Sequence, residues 1–564
     1  MKKFGVFITI VFVFATAVFF AKTSTSVAAG DTGSTPTTST DLVWTTAAEF
    51  AAAGPSDLTA AIEAVKGGAR TPAAFAGAAN QQRIIDEMNK VILAVKTRAQ
   101  VLPAVAKIIE LAKQDTSGQL PAVQLYRAAA SIVPDLEGVV YRCREFVESS
   151  DWLHMSVLFG LRDFAYNDYL YGQHVKALFD FVTYPSAKAG APFKSISELQ
   201  NFVLARVAPK LQAFSNMLRT LEALPAQNFE FQFDRTILVG QGPGLRFLDP
   251  SEAKKLFIKP YIYTIHFLTE RALGSLYYLT AMELDEMPVV FNRVIRQTTI
   301  NTFAGDLRIG TPAKGVTPQM AYEIIKKTQG FLGWRKNIVI GTTRIDAQQV
   351  LDRAFTAGVN SAYMQHAAYV CGIKYPVARA KGQIIEADIG RECMTFESES
   401  PDAYFVANGS SYLFNPNVMT QDFKEKYHMV RDRSRLYVEA KKNVHSAITS
   451  DVTGQTIRIN IRALFSAAHS QRDFLPTGYS ASPAGAQVPG LGVTAWNYDH
   501  GKPMTFKDYT FGGFFDSRDV RDSGSLYKTM TTVLYTKAIA PFAIFIRVPS
   551  TATFFITPAD AIRD

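Results

Sequence analysis

Between Ser195 and Pro225, apolar residues recur at steps of three and four: Ile196, Leu199, Val203, Val207, Leu211, Phe214, Leu218 and Leu221. That spacing lines them along one side of a helix, and a strand would scatter them over both faces. Ser195 and Glu198 make a capping-box pattern at the start, and Pro225 stops the run. Pro209 has no backbone N–H, so the rod should kink near its middle. A long helix with one apolar stripe must lie against other helices.

The chain on both sides supplies them. Residues 81–100 form a helix with Ile84, Met88, Val91 and Val95 on one face. Pro103, Pro121 and Pro134 open further helices, at a position where the missing N–H is not needed. After Pro225 the period changes: residues 228–234 alternate strictly and residues 236–239 follow, a strand or hairpin. Helices resume over 260–287, 288–303, from Thr317 to Gly330, over 347–355 and over 360–370. No fixed repeat is present, so helix pairs in series predict an irregular or solenoid-like helical body.

Composition shifts near residue 391. Residues 402–417 read as short strands and turns, and residues 421–447 as a basic amphipathic helix. Residues 456–462 alternate, with Ile457, Ile459 and Ile461 inward, and the apolar tail 533–556 reads as buried strands. The expected fold class is therefore mainly α, with a smaller mixed α+β carboxyl-terminal region. The expected divisions are a signal peptide (1–29), a Ser/Thr-rich tether (30–42), an amino-terminal helical domain (43–225), a second helical region (226–390) and the mixed domain (391–564).

The compartment is read from the first residues. Lys2 and Lys3 precede an apolar run from Phe4 to Ala21, and small residues follow. This is a Sec-type signal pattern, with cleavage after Ala28 or Ala29. The alternative is an uncleaved inner-membrane anchor, since the run approaches the ~18 residues that span a bilayer. An exported chain is expected to be periplasmic or secreted, with no transmembrane span after signal removal. Cys371 and Cys393 could then pair, while Cys143 sits at helical spacing with Val139, Val140, Phe146 and Val147 and reads as core.

Lys plus Arg number 59 against 50 Asp plus Glu, too mild an excess over 564 residues to imply nucleic acid. It favours an acidic glycan or lipid surface, or an envelope protein, as partner. The local basic clusters are Lys326, Lys327, Arg335 and Lys336, and Arg431, Arg433 and Arg435. Candidate contact residues are Tyr166, Asp168, Tyr169 and Tyr171 in an aromatic block, and Trp496, Tyr498, Asp499 and His500 in a Gly/Pro-rich loop. His266 and Glu270 stand one helical turn apart without a third ligand nearby, and read as a surface pair. No nucleophile elbow, P-loop or zinc motif is present, and no cofactor or metal is expected. The expectation is an exported helical binding or scaffold protein, open to membership in a larger assembly. The alternative is an envelope enzyme using carboxylates on a glycan or peptidoglycan, with Asp163 and Asp168 or the 496–500 loop as its site.

Overall fold

Every apolar position of the central stripe is buried in the computed structural model of the chain. That structure describes residues 78–116, 120–148, 173–184, 190–223, 231–234, 237, 254–257, 259–302, 305–312, 318–340, 342–380, 436–437, 439–449, 454–475, 477–479, 497–498, 502–522, 524–526, 529, 543–548 and 551–556. The fold of these residues is mainly helical, with short two- and three-stranded antiparallel sheets.

The longer helices among the described residues are α1 (Ala78–Leu93), α2 (Val101–Ala112), α3 (Pro121–Ile132), α4 (Gln173–Thr183), α5 (Ile196–Phe202), α6 (Ala208–Ala223), α7 (Lys259–Ala281), α8 (Met287–Val294), α9 (Pro318–Lys327) and α10 (Ala347–Ala380). The Ser195 Oγ accepts the Glu198 N–H at 3.2 Å, as the sequence predicts. The Glu198 carboxylate reaches one residue further out, accepting the Lys194 N–H at 2.8 Å. Between α5 and α6 the chain makes one π-helical segment, Val203–Val207, in which the Ala208 N–H reaches the Val203 carbonyl. Pro209 explains it: its ring crowds the carbonyl of Ala205, and the widened turn relieves the crowding without ending the rod.

Helix α6 packs against α3 and α7, and α7 lies along α10. Small residues let α7 and α10 approach closely: a Cβ on Gly274 would lie 3.3 Å from the Ala354 carbonyl oxygen and 3.6 Å from the Ala357 Cβ. The two helices expected over 347–370 are one, α10. Gly358 does not break it, because the Tyr437 ring fills the space that a side chain would take, with Cε1 2.8 Å from a Cβ there. That contact offsets the ~1 kcal/mol that glycine costs inside a helix.

The helix expected over 288–303 also differs. It ends at Val294, and β3 (Ile295–Thr302) pairs with β4 (Gly305–Pro312) as a hairpin. The β-branched residues Thr298, Thr299, Ile300 and Thr302 favour the extended chain. Strand β1 (Phe231–Asp234) forms where alternation predicts it, but its partner is β2 (Lys254–Phe257), with Phe231 opposite Phe257. The basic helix expected to reach Ala447 has ended by residue 440. Asn443 takes a positive φ of 55°, and Ser446–Thr449 pairs with Thr456–Ile459. Ile457, Ile459 and Ile461 are buried as their alternation predicts. The apolar tail forms a hairpin of Ala543–Val548 with Thr551–Ile556.

One continuous apolar core runs from Ile84 to Leu526. The carboxyl-terminal part is keyed into it by polar contacts. Gln471 Nε2 donates to the Tyr278 hydroxyl at 2.8 Å, Trp334 Nε1 donates to the His469 carbonyl at 2.8 Å, and Arg472 donates to the Thr328 and Lys326 carbonyls. Among the described residues, no helix is long and apolar enough to cross a membrane.

Candidate functional site

Helices α6 and α7 meet over a buried polar cluster. On α6, Ser215 and Glu222 are seven residues apart and so share a face. On α7, His266 and Glu270 are one turn apart and face them. His266 Nδ1 lies 2.6 Å from Glu222 Oε1, and its Nε2 lies 2.9 Å from Ser215 Oγ and 3.4 Å from Glu270 Oε1. The Ser215 hydroxyl donates to Glu270 Oε1. Asn360 of α10 donates to Glu270 Oε2 at 3.3 Å, and Arg219, one-fifth exposed, approaches Glu270 Oε1 to 3.9 Å. His266 and Glu270 are thus deep in the core and are not the surface pair expected: the apolar stripes on both sides carry them inward.

Burial alone would lower the imidazole pKa. Glu222 and Glu270 more than reverse it, raising His266 from 6.5 to about 9. For Glu270, burial pushes upward, but the hydrogen bonds and charge of His266, with Ser215 and Arg219, leave it below its ordinary value. Acid, imidazole and hydroxyl are therefore connected in the order of a hydrolytic triad. The protonation is wrong for that chemistry. An imidazolium cannot take the serine proton, which already goes to Glu270, and Ser215 and His266 are sealed from solvent. The cluster works as a buried ion network that ties α6, α7 and α10 together. Among the described residues, no group of three His, Cys, Asp or Glu is placed to hold a metal ion.

An accessible feature lies between α8 and α9. A trough of about 680 Å³ is lined by Glu286, Val289, Arg293, Met320, Glu323, Ile324, Lys327, Thr328 and Gln329. Val289 and Arg293 fall on one stripe of α8, with Glu286 just before its first residue, and Met320, Glu323, Ile324 and Lys327 fall on one stripe of α9. The Glu286 N–H donates to the Gly330 carbonyl, so the start of α8 sits beside the turn that follows α9. Val289 and Met320 are exposed apolar side chains at 39% and 48%. Glu323 stands 3.9 Å from both Lys326 and Lys327.

The sequence candidates are distributed as follows. Lys326, Lys327 and Lys336 are on or near the surface. Arg335 is buried, its guanidinium donating to the Thr280 carbonyl at 2.9 Å and Asn201 Oδ1 at 2.7 Å, which draws it away from a solvated basic face. Tyr498 lies on a two-residue strand paired with Lys502. Tyr166, Asp168, Tyr169, Tyr171, Arg431, Arg433, Arg435, Trp496, Asp499 and His500 lie outside the described residues, as do Asp163 and Cys393. Cys371 falls within α10. Cys143 is a buried free thiol, and burial pushes its pKa up to about 12. Sequence reasoning missed Ser215, Glu222 and Asn360, and missed the trough altogether. No family model, curated protein or solved structure matches the chain.

Proposed function

We propose that the chain is an exported cell-envelope protein that binds or scaffolds a partner rather than transforming one. The observation that carries this reading is the contrast between its two polar sites. The chemically suggestive cluster is sealed and wrongly protonated for catalysis, whereas the open trough is an apolar floor between charged rims. The signal pattern at residues 1–29 supports export to the periplasm or cell surface, or tethering through an uncleaved anchor. The irregular, solenoid-like layout and the mixed carboxyl-terminal recognition region belong to the same proposal, as does a place in a larger envelope assembly.

The test is fractionation combined with site-specific photo-cross-linking in intact cells. The mature chain should begin at Ala29 or Gly30 in the envelope fraction, or stay membrane-bound with its leader. A photoreactive residue at Val289 should give a discrete adduct, and one at exposed Lys90 should not. An intact amino terminus in the cytosol overturns export. Equal labelling at Val289 and Lys90 overturns the binding reading.

A further inference from the structure

We propose that the carboxyl-terminal segment 461–475 sets the α9 wall of the trough, with Arg472 as the positioning residue that clamps a strained turn at the end of that wall. The clamp takes its use from the binding reading above, but it is testable without a ligand.

The end of α9 needs outside donors, because the last four carbonyls of a helix have no partner within it. Thr328 serves two of them: its N–H reaches the Ile324 and Ile325 carbonyls at 3.0 and 3.3 Å, and its hydroxyl donates to the Ile324 carbonyl at 2.8 Å. The Lys326 carbonyl is taken by the guanidinium of Arg472, from a distant part of the chain. The same guanidinium donates to the Thr328 carbonyl and lies 3.5 Å from the Phe331 carbonyl. The Arg472 N–H donates to the Leu332 carbonyl at 3.2 Å. A planar fork of N–H donors suits several carbonyls at once, and its positive charge answers the partial negative charge of the helix end.

The clamped turn is strained. Gly330 has a φ of 78° and Leu332 a φ of 63°. Glycine takes that conformation freely, but in leucine the Cβ crowds the following carbonyl. Such a residue persists only where its surroundings hold it. Leu332 is held by its buried side chain, by its N–H on the Glu283 carbonyl at 2.8 Å, and by Arg472 on its own carbonyl.

The turn is part of the trough. Lys327, Thr328 and Gln329 are lining residues, and the Gly330 carbonyl accepts the Glu286 N–H at 3.2 Å. The segment that carries Arg472 is anchored by other contacts. Phe465, Phe474 and Leu475 are buried, and Gln348 of α10 bonds the Phe465 carbonyl at 3.0 Å and the Ala467 N–H at 2.7 Å. Removing the Arg472 side chain therefore withdraws the clamp and leaves the segment docked. The last turn of α9 then frays, Leu332 relaxes, and that end of the trough loses its shape. An occupant that fits the observed trough and the clamp favour the same conformation, so the two are linked.

Hydrogen exchange read by mass spectrometry on the full chain tests this in the wild type, Arg472→Ala and Arg472→Lys. In Arg472→Ala the amides of residues 326–333 should exchange about tenfold faster or more, while α7 and α10 keep wild-type protection. Arg472→Lys, which keeps the charge and loses the fork, should fall between. Millimolar methylguanidinium should restore protection in Arg472→Ala and leave the wild type unchanged. The Val289 photo-adduct should fall several-fold in Arg472→Ala. Unchanged exchange at 326–333, loss of protection that spreads to α7 and α10, no rescue by methylguanidinium, or an undiminished adduct overturns the proposal. If the wild type labels equally at Val289 and Lys90, the binding reading fails and the exchange data alone decide the clamp.

Discussion

Replacing His266 by glutamine is the sharpest probe of the α6–α7 junction. In the native chain the imidazole is raised from 6.5 to about 9 because two carboxylates outweigh its burial. At ~1.4 kcal/mol per pH unit, that displacement is worth about 3 kcal/mol of folding stability. The sign follows from the folded value lying above the unfolded one. The contribution is fully present below about pH 6.5 and disappears as pH rises through about 9. Glu270, held below its ordinary value, acts in the opposite sense: its share is present above the usual carboxylate range and is lost as pH falls. His266→Gln removes the cation and leaves Glu222 and Glu270 buried together, a loss of about 3–5 kcal/mol near pH 6.5. The assay is urea unfolding of the wild type and His266→Gln between pH 6 and 10, followed by the helical circular-dichroism signal. The difference between the two proteins cancels the titrating groups that do not touch His266, and it should shrink by about 3 kcal/mol across that range. A difference that stays constant with pH would show that His266 is neutral in the fold, and the charge assignment would fail.

Leu211 is fully buried at the centre of the stripe, so Leu211→Ala should cost about 2–5 kcal/mol in the same assay; a loss below 1 kcal/mol would mean the α6 face is loosely packed. Gly358→Ala brings a methyl to 2.8 Å from the Tyr437 ring, and the overlap should outweigh the better helix propensity of alanine for a net loss of about 1–2 kcal/mol. A raised melting temperature would show that the ring moves aside without cost. Cys143, buried and pushed up to about 12, should resist iodoacetamide at pH 8 in the native protein and react once urea unfolds it. Rapid native labelling would place it at the surface.

The central rod could be read from its sequence down to its cap because periodicity, Ser195 and burial all agree. Pro209 signalled a disturbance but not its form. A kink and a π turn relieve the same crowding, and neighbouring helices decide between them. Errors fell where a local signal met a tertiary contact. The gap expected between residues 355 and 360 contains Gly358, where the ring of Tyr437, distant in the chain, occupies the space of a side chain. Residues 295–302 read as the continuation of a helix because Pro288 and an apolar start resemble a helix entry, while their β-branched run favours pairing with residues 305–312. The partner of β1, some twenty residues further on, had no local signal at all.

The polar cluster was half visible. The one-turn spacing of His266 and Glu270 was plain, and its burial was not, because surface pairs share that spacing. The missing clue lay on α6, where Ser215 and Glu222 stand two turns apart beside the stripe of Leu211, Leu218 and Leu221. Polar residues that share a face with each other and border an apolar stripe on one helix ask for polar residues on the helix they meet. Such burial is costly. Glu222 Oε2 and Asn360 Oδ1 find no hydrogen-bond partner among the described residues, and apolar residues of equal volume would hold α6 to α7 as well or better. What the ions add is discrimination. A slip of α6 by one turn against α7 would leave two carboxylates and an imidazolium unpaired in the core, whereas an all-apolar seam would tolerate it. The charged contacts are thus made only in the observed register of α6 against α7.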